Sequence, residues 1–115
     1  ELESLPAEVG GLRALTSLDV THTAITTLPV AVGGLLALTS LNLGGTRLTT
    51  LPAEVGGLRA LTSLNLSYNN AITTLPTEVG GLRALTSLDV THTAITTLPV
   101  AVGGLLALTS LNLSQ

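Results

Sequence analysis

The tetrapeptide Leu15-Thr16-Ser17-Leu18 recurs unchanged at Leu38, Leu61, Leu85 and Leu108, in steps of 23, 23, 24 and 23 residues. A period of this length constrains the fold more than any other feature. One unit of this size cannot bury its own apolar face and has to stack on copies of itself. The segment Glu8 to Leu43 also returns without a change as Glu78 to Leu113, an offset of 70 residues, which reads as a block of three units copied whole. The single longer step carries an extra residue in Ser67-Tyr68-Asn69-Asn70-Ala71-Ile72, where the unit before has Gly44-Gly45-Thr46-Arg47-Leu48. That extra residue is expected to be a loop insertion.

Within a unit, alternation sets the local structure. In Leu18-Asp19-Val20 successive side chains point to opposite faces, so Leu18 and Val20 turn inward while Ser17, Asp19 and Thr21 face out, as in a short strand. Seven apolar columns follow, headed by Leu15, Leu18, Val20, Ile25, Leu28, Val32 and Leu35. The chain has one tyrosine and no phenylalanine, tryptophan, methionine or cysteine, so the core is leucine, isoleucine and valine, and thiol chemistry is absent. Pro6, Pro29, Pro52, Pro76 and Pro99 fix an extended or turn geometry on the return path, and the Gly-Gly pairs permit close backbone approach there. Little α-helix is expected, with short 3₁₀ or extended segments on the convex side.

The unit Leu15 to Ala37, LTSLDVTHTAITTLPVAVGGLLA, resembles the leucine-rich repeat family over essentially the whole chain. Its second half, Leu-Pro followed by Gly-Gly-Leu, is similar to the 23-residue variety common in cytoplasmic signalling scaffolds and in many bacterial proteins. The resemblance implies an α/β-type solenoid, mostly β: a right-handed leucine-rich repeat with a parallel concave sheet and extended or 3₁₀ convex segments. Residues 1–115 are then a single array of about five units. One position departs from the family pattern. The family places asparagine after the strand, where this chain has Thr23, Thr46 and Thr93 and only the third repeat supplies Asn69. Threonine has the shorter reach, so looser turns are expected at those three positions.

The outward strand positions give the concave face. It consists of a serine column, Ser17, Ser40, Ser63, Ser87 and Ser110, beside a column of Asp19, Asn42, Asn65, Asp89 and Asn112, with the larger His22, Tyr68 and His92 at the loop edge. These Asp, Asn, His and Tyr residues are the candidate interaction residues, and Tyr68 is the one side chain of a type favoured at binding hot spots. The resemblance implies a non-catalytic scaffold that binds a protein partner. His22 and His92 stand three repeats apart, about 14 Å at the usual strand spacing, and cannot share one metal ion. The sequence has no nucleophile motif, phosphate loop or ligand cluster, so neither an enzyme nor a cofactor is expected. With four arginines, no lysine, seven carboxylates and a net charge of -3, nucleic acid is not the expected partner. No apolar stretch approaches the roughly 18 residues of a membrane span.

Two alternatives come from the other surfaces. On the convex side, units carry Glu8 with Arg13, Glu54 with Arg59 and Glu78 with Arg83, or the apolar pairs Ala31 with Leu36 and Ala101 with Leu106. Leu36 and Leu106, with Val30 and Val100, would form apolar spots that favour self-association, the second functional reading. The array also reads as uncapped. Glu1 to Ala14 is a return path without its strand and Leu108 to Gln115 a strand without its return path, so copies could stack head to tail in near register and propagate as a filament. A simpler expectation is a segment of a longer array. The third reading is ice binding, from Thr21-His22-Thr23, Thr91-His92-Thr93 and the threonine pairs from Thr26-Thr27 to Thr96-Thr97, although Gly44 and Asn69 interrupt the row. Asn65-Leu66-Ser67 and Asn112-Leu113-Ser114 fit the glycosylation pattern but fall on strands, where a glycan would crowd the ladder.

Overall fold

The computed structural model describes residues 7–95 and the strand residues 110–112. Its spine is a five-stranded parallel sheet in sequence order, with β1 Ser17–Asp19, β2 Ser40–Asn42, β3 Ser63–Asn65, β4 Ser87–Asp89 and β5 Ser110–Asn112. Every strand occupies the same place in its repeat, and the register pairs like with like: Ser17 with Ser40, Ser63, Ser87 and then Ser110. The extra residue of the third repeat leaves this register intact. Its turn closes through the Ile72 amide donating to the Asn69 carbonyl at 3.3 Å, with Asn70 and Ala71 exposed and Ile72 returned to the core. The expected loop insertion is thus a single added turn.

Among the described residues each return path is a short 3₁₀ helix: η1 Ala7–Gly11, η2 Val30–Gly34, η3 Ala53–Gly57 and η4 Thr77–Gly81. Pro29, Pro52 and Pro76 precede η2 to η4 in extended geometry, with φ of -68°, -70° and -66°. Proline suits that position because its φ is already set and no amide is needed there. The seven apolar columns are buried in full in the second and third units, from Leu38 to Leu58 and from Leu61 to Leu82, while Leu15 and Leu18 are half-buried. On the convex side the glycines set the packing distance. A Cβ at Gly33 would lie 2.8 Å from the Glu54 carbonyl oxygen, and one at Gly56 would strike the Glu78 carbonyl oxygen.

Hydrogen bonds running between repeats extend beyond the three strand residues. The Thr39, Thr62 and Thr86 amides donate to the Thr16, Thr39 and Thr62 carbonyls at 2.8 Å each. Their hydroxyls donate to those same carbonyls at 3.0, 3.0 and 3.1 Å, which ties each repeat to the one before it just ahead of the strand. After the strand the ladder continues through Val20 to Asn42 and Leu43 to Asn65. The Ser40, Ser63 and Ser87 amides also donate to the Thr16, Thr39 and Thr62 carbonyls, at 3.2, 3.1 and 3.1 Å, and this threefold use of one carbonyl per repeat holds the concave face at constant spacing.

Candidate functional site

The concave face ends in a row of turns, and the Asp/Asn column builds them. Asp19 Oδ1 accepts from the Thr21 amide at 3.0 Å and the Thr21 hydroxyl at 2.8 Å, and Asp89 does the same for Thr91 at the same two distances. Asn42 Oδ1 accepts from the Gly44 amide at 3.2 Å and Asn65 Oδ1 from the Ser67 amide at 2.8 Å. Short side chains that hydrogen-bond the backbone two residues on are turn formers, so this column has a structural duty as well as a surface one. The Thr21 amide first, then its hydroxyl, and lastly the charge of His22 hold the Asp19 carboxyl below its usual value. Among the described residues the amide NH2 groups of Asn42 and Asn65 have no intramolecular partner, and they remain as donors on the face.

The next position in each turn is left-handed. His22, Tyr68 and His92 have φ of 58°, 59° and 54°, and the equivalent residue of the second repeat is Gly45, at 69°. Non-glycine residues seldom adopt this region, because Cβ crowds the backbone. Neighbouring turns are joined by the His22, Gly45 and Tyr68 amides, which donate to the Gly44, Ser67 and Thr91 carbonyls. The row therefore stands as four stations at strand spacing: ring, gap, ring, ring. Tyr68 and His92 stack with centroids 4.6 Å apart and planes 16° from parallel. Gly45, on the other side of Tyr68, supplies no ring to the row. His22 leans into that gap, where a Cβ on Gly45 would lie 2.7 Å from its Nδ1.

The result is a cleft of about 320 Å³ walled by His22 and Tyr68 and floored by Asn42, Asn65, Gly44, Gly45 and Ser67, with Thr21 at its edge. Four of the expected interaction residues, His22, Asn42, Asn65 and Tyr68, thus meet in one place, and His92 supports Tyr68 from behind. Asp19 and Asp89 stay in the flanking turns, and the register sets Asn112 beside Asp89. Gly44 and Gly45 were not among the expected site residues. The signal for Gly45 lies in the alignment of the repeats, where it takes the place of His22, Tyr68 and His92.

The threonines that replace the family asparagine turn inward. Thr23 and Thr93 each donate to the carbonyl three residues back, Val20 and Val90, at 2.8 Å. Asn69 reaches three carbonyls, Leu66 and Leu43 at 2.9 Å and Ser67 at 3.2 Å, and also accepts the Thr46 hydroxyl. Thr23 and Thr93 close their own turns, and only the asparagine reaches a carbonyl of the previous repeat. Because Thr46 and Thr93 are buried and Thr23 is half-buried, these hydroxyls do not form an outward-facing Thr-x-Thr row. Leu36 is 39% exposed and Val30, within η2, is 64% exposed, away from the cleft. Leu106 and Val100 lie outside the described residues. Among the described residues no three His, Asp or Glu side chains could hold a metal ion, and no helix is long and apolar enough to cross a membrane.

Comparison with known proteins bears on both fold and family. A leucine rich repeat family model matches residues 13–70 and 59–115. A leucine-rich repeat protein of Leptospira interrogans superposes with a TM-score of 0.90 at 38% identity, over 96% of this chain and 29% of that one. An internalin of Listeria monocytogenes gives 0.78 at 28% identity, over 97% of this chain and 32% of the other. A plant peptide hormone receptor, RGFR1, solved in complex with RGF2, gives 0.85 at 27% identity, over 97% of this chain and 19% of the receptor. This chain therefore spans about a third or less of each of these structures. No curated protein matches it. The repeats, the parallel sheet and these matches agree: the chain belongs to the leucine-rich repeat family.

Proposed function

We propose that the concave face binds a protein partner without catalysing a reaction, and that the cleft between His22 and Tyr68 is the centre of the contact. The observation that carries this reading is Tyr68. It is 61% exposed, stacked on His92 and held in an unfavourable left-handed backbone, in a chain with no other tyrosine and no phenylalanine or tryptophan. A rigid tyrosine on a small-residue face is the side-chain type that anchors interfaces. The peptide hormone receptor with its bound RGF2 supports the same use of the fold. For catalysis, a general base needs a nucleophile or an orienting acid within hydrogen-bond reach. Neither histidine ring is hydrogen-bonded to a hydroxyl or carboxylate among the described residues.

Panning a random-peptide display library against the protein tests the reading. Peptides selected on the wild type should lose about tenfold or more in affinity on Asn65→Arg, which plants a bulky charge on the cleft floor. Peptides that bind the variant equally well, or a library that yields no binders, would overturn it.

Self-association through the convex side is the second reading, favoured by the exposure of Val30 and Leu36. Light scattering over a dilution series reads it directly. Assemblies that dissolve in Leu36→Arg support this alternative, and a monomer at every concentration removes it.

A further inference from the structure

The row of left-handed turns has a spacing rule and one exception to it. At adjacent stations Tyr68 and His92 stack 4.6 Å apart, the separation of neighbouring parallel strands. His22 and Tyr68 are two stations apart, about 9.5 Å along the row, with Gly45 between them. A single planar ring set over Gly45 would lie about 4.7 Å from each neighbour, within the range for offset stacking. In the structure the His22 ring covers that place, with Nδ1 2.7 Å, Cε1 3.0 Å and Cγ 3.6 Å from a Cβ built on Gly45, so an incoming ring requires His22 to turn about its own side-chain bonds into the line of the row.

The floor below the gap selects among planar groups. Asn42 and Asn65 have their Oδ1 atoms committed to the Gly44 and Ser67 amides, so what they offer upward is NH2. Arginine brings only donors and meets donors there, whereas a peptide carbonyl finds partners. We propose that the gap over Gly45 is an aromatic slot: it takes one ring from a side chain of the partner protein between His22 and Tyr68, while Asn42 and Asn65 donate to the peptide carbonyl beside that ring. The slot rests on the concave face being the interaction surface, and it names the group that the surface recognises.

The test uses N-acetyl-tryptophanamide as probe, with N-acetyl-leucinamide and N-acetyl-argininamide as comparisons, each titrated while the Tyr68 ring protons and the Gly45 amide are followed by NMR. The expected result is a saturable upfield shift at both positions with the tryptophan compound, and about tenfold weaker or absent saturation with the other two. Gly45→His fills the gap with the residue type that already occupies two of the left-handed stations, and should abolish the shift while the far-UV circular dichroism is unchanged. If that variant fails to fold, Tyr68→Leu removes one wall, and the shift read at the Gly45 amide should then be abolished. The slot is overturned by an absent or unsaturable shift with the tryptophan compound, by tighter binding of the arginine compound, or by undiminished binding to the folded variant. The broader reading fails separately. Display-selected peptides that are sensitive to Asn65→Arg but indifferent to Gly45→His would leave the interaction face standing and remove the slot alone.

Discussion

The Thr46 hydroxyl donates to Asn69 Oδ1 at 2.6 Å, across one repeat and inside the core, where both residues are buried. This contact makes Asn69 the fastening between the second and third units, because its NH2 group also reaches the Leu43 carbonyl of the earlier unit at 2.9 Å. Removing Asn69 takes one hydrogen bond each from the Thr46 hydroxyl and the Leu43, Leu66 and Ser67 carbonyls at once. Asn69→Ala should therefore destabilise by about 3 kcal/mol, while Asn69→Thr should lose only about 1–2 kcal/mol, since a threonine there can still bond its own Leu66 carbonyl. Urea unfolding of both variants checks the order. Equal losses would mean that the bond kept to the Leu66 carbonyl contributes nothing.

Adjacent glycines on the convex side separate packing from backbone effects. A Cβ at Gly56 would strike the Glu78 carbonyl, a backbone atom that cannot move aside, whereas one at Gly57 meets nothing within 4 Å. Gly56→Ala should cost about 1–3 kcal/mol by overpacking. Gly57→Ala should be neutral or stabilise by up to about 1 kcal/mol, through reduced freedom of the unfolded chain. Thermal melts of the pair decide the matter, and a cost at Gly57 equal to that at Gly56 would defeat the packing explanation.

The acid limb of stability carries the signature of Asp19. Hydrogen bonds from the Thr21 amide and hydroxyl, with the charge of His22, lower its pKa in the folded state. A carboxylate with a depressed folded pKa contributes stability that is present above its unfolded value, about 3.9, and is lost as pH falls through the folded value. Asn42 shows that an asparagine accepts the same turn hydrogen bond without a charge. The urea midpoints of wild type and Asp19→Asn should thus differ near neutral pH and converge in acid, once the pH has fallen through the lowered folded value. A difference that persists into strong acid would assign it to turn geometry and not to ionisation.

Much of this fold was legible in the sequence because a repeat multiplies every signal. Each apolar column returns every 23 or 24 residues, five of the seven as one unchanged letter and two mixing Leu with Val or Ile, and Pro29, Pro52 and Pro76 mark the start of η2, η3 and η4. The turn chemistry was less legible. Asp19, Asn42, Asn65 and Asp89 stood out as surface residues, yet each spends one oxygen on the backbone two residues later. The cleft was harder still, since what forms it is a missing side chain. Gly45 carries no chemistry of its own and matters only because His22 and Tyr68 stand on either side. The inter-repeat bonds of the Thr39, Thr62 and Thr86 hydroxyls likewise left no mark beyond a threonine in a β-rich chain.

Whether Tyr68 serves the fold or the surface is open to a direct measurement. Its ring gains stacking on His92, about 0.5–1.5 kcal/mol. Its left-handed backbone gives back about 1–2 kcal/mol, and a glycine at the same place relieves that strain but adds freedom to the unfolded chain. These contributions nearly cancel, so Tyr68→Gly should change stability by no more than about 1 kcal/mol in either direction. The same substitution extends the gap of Gly45 by one station and strips the cleft of its aromatic wall, so any ligand of the concave face should bind far more weakly. Near-neutral stability combined with lost binding would identify a residue held at the surface for recognition. A loss of more than about 2 kcal/mol would make the ring a structural brace and move the recognition surface elsewhere on the sheet.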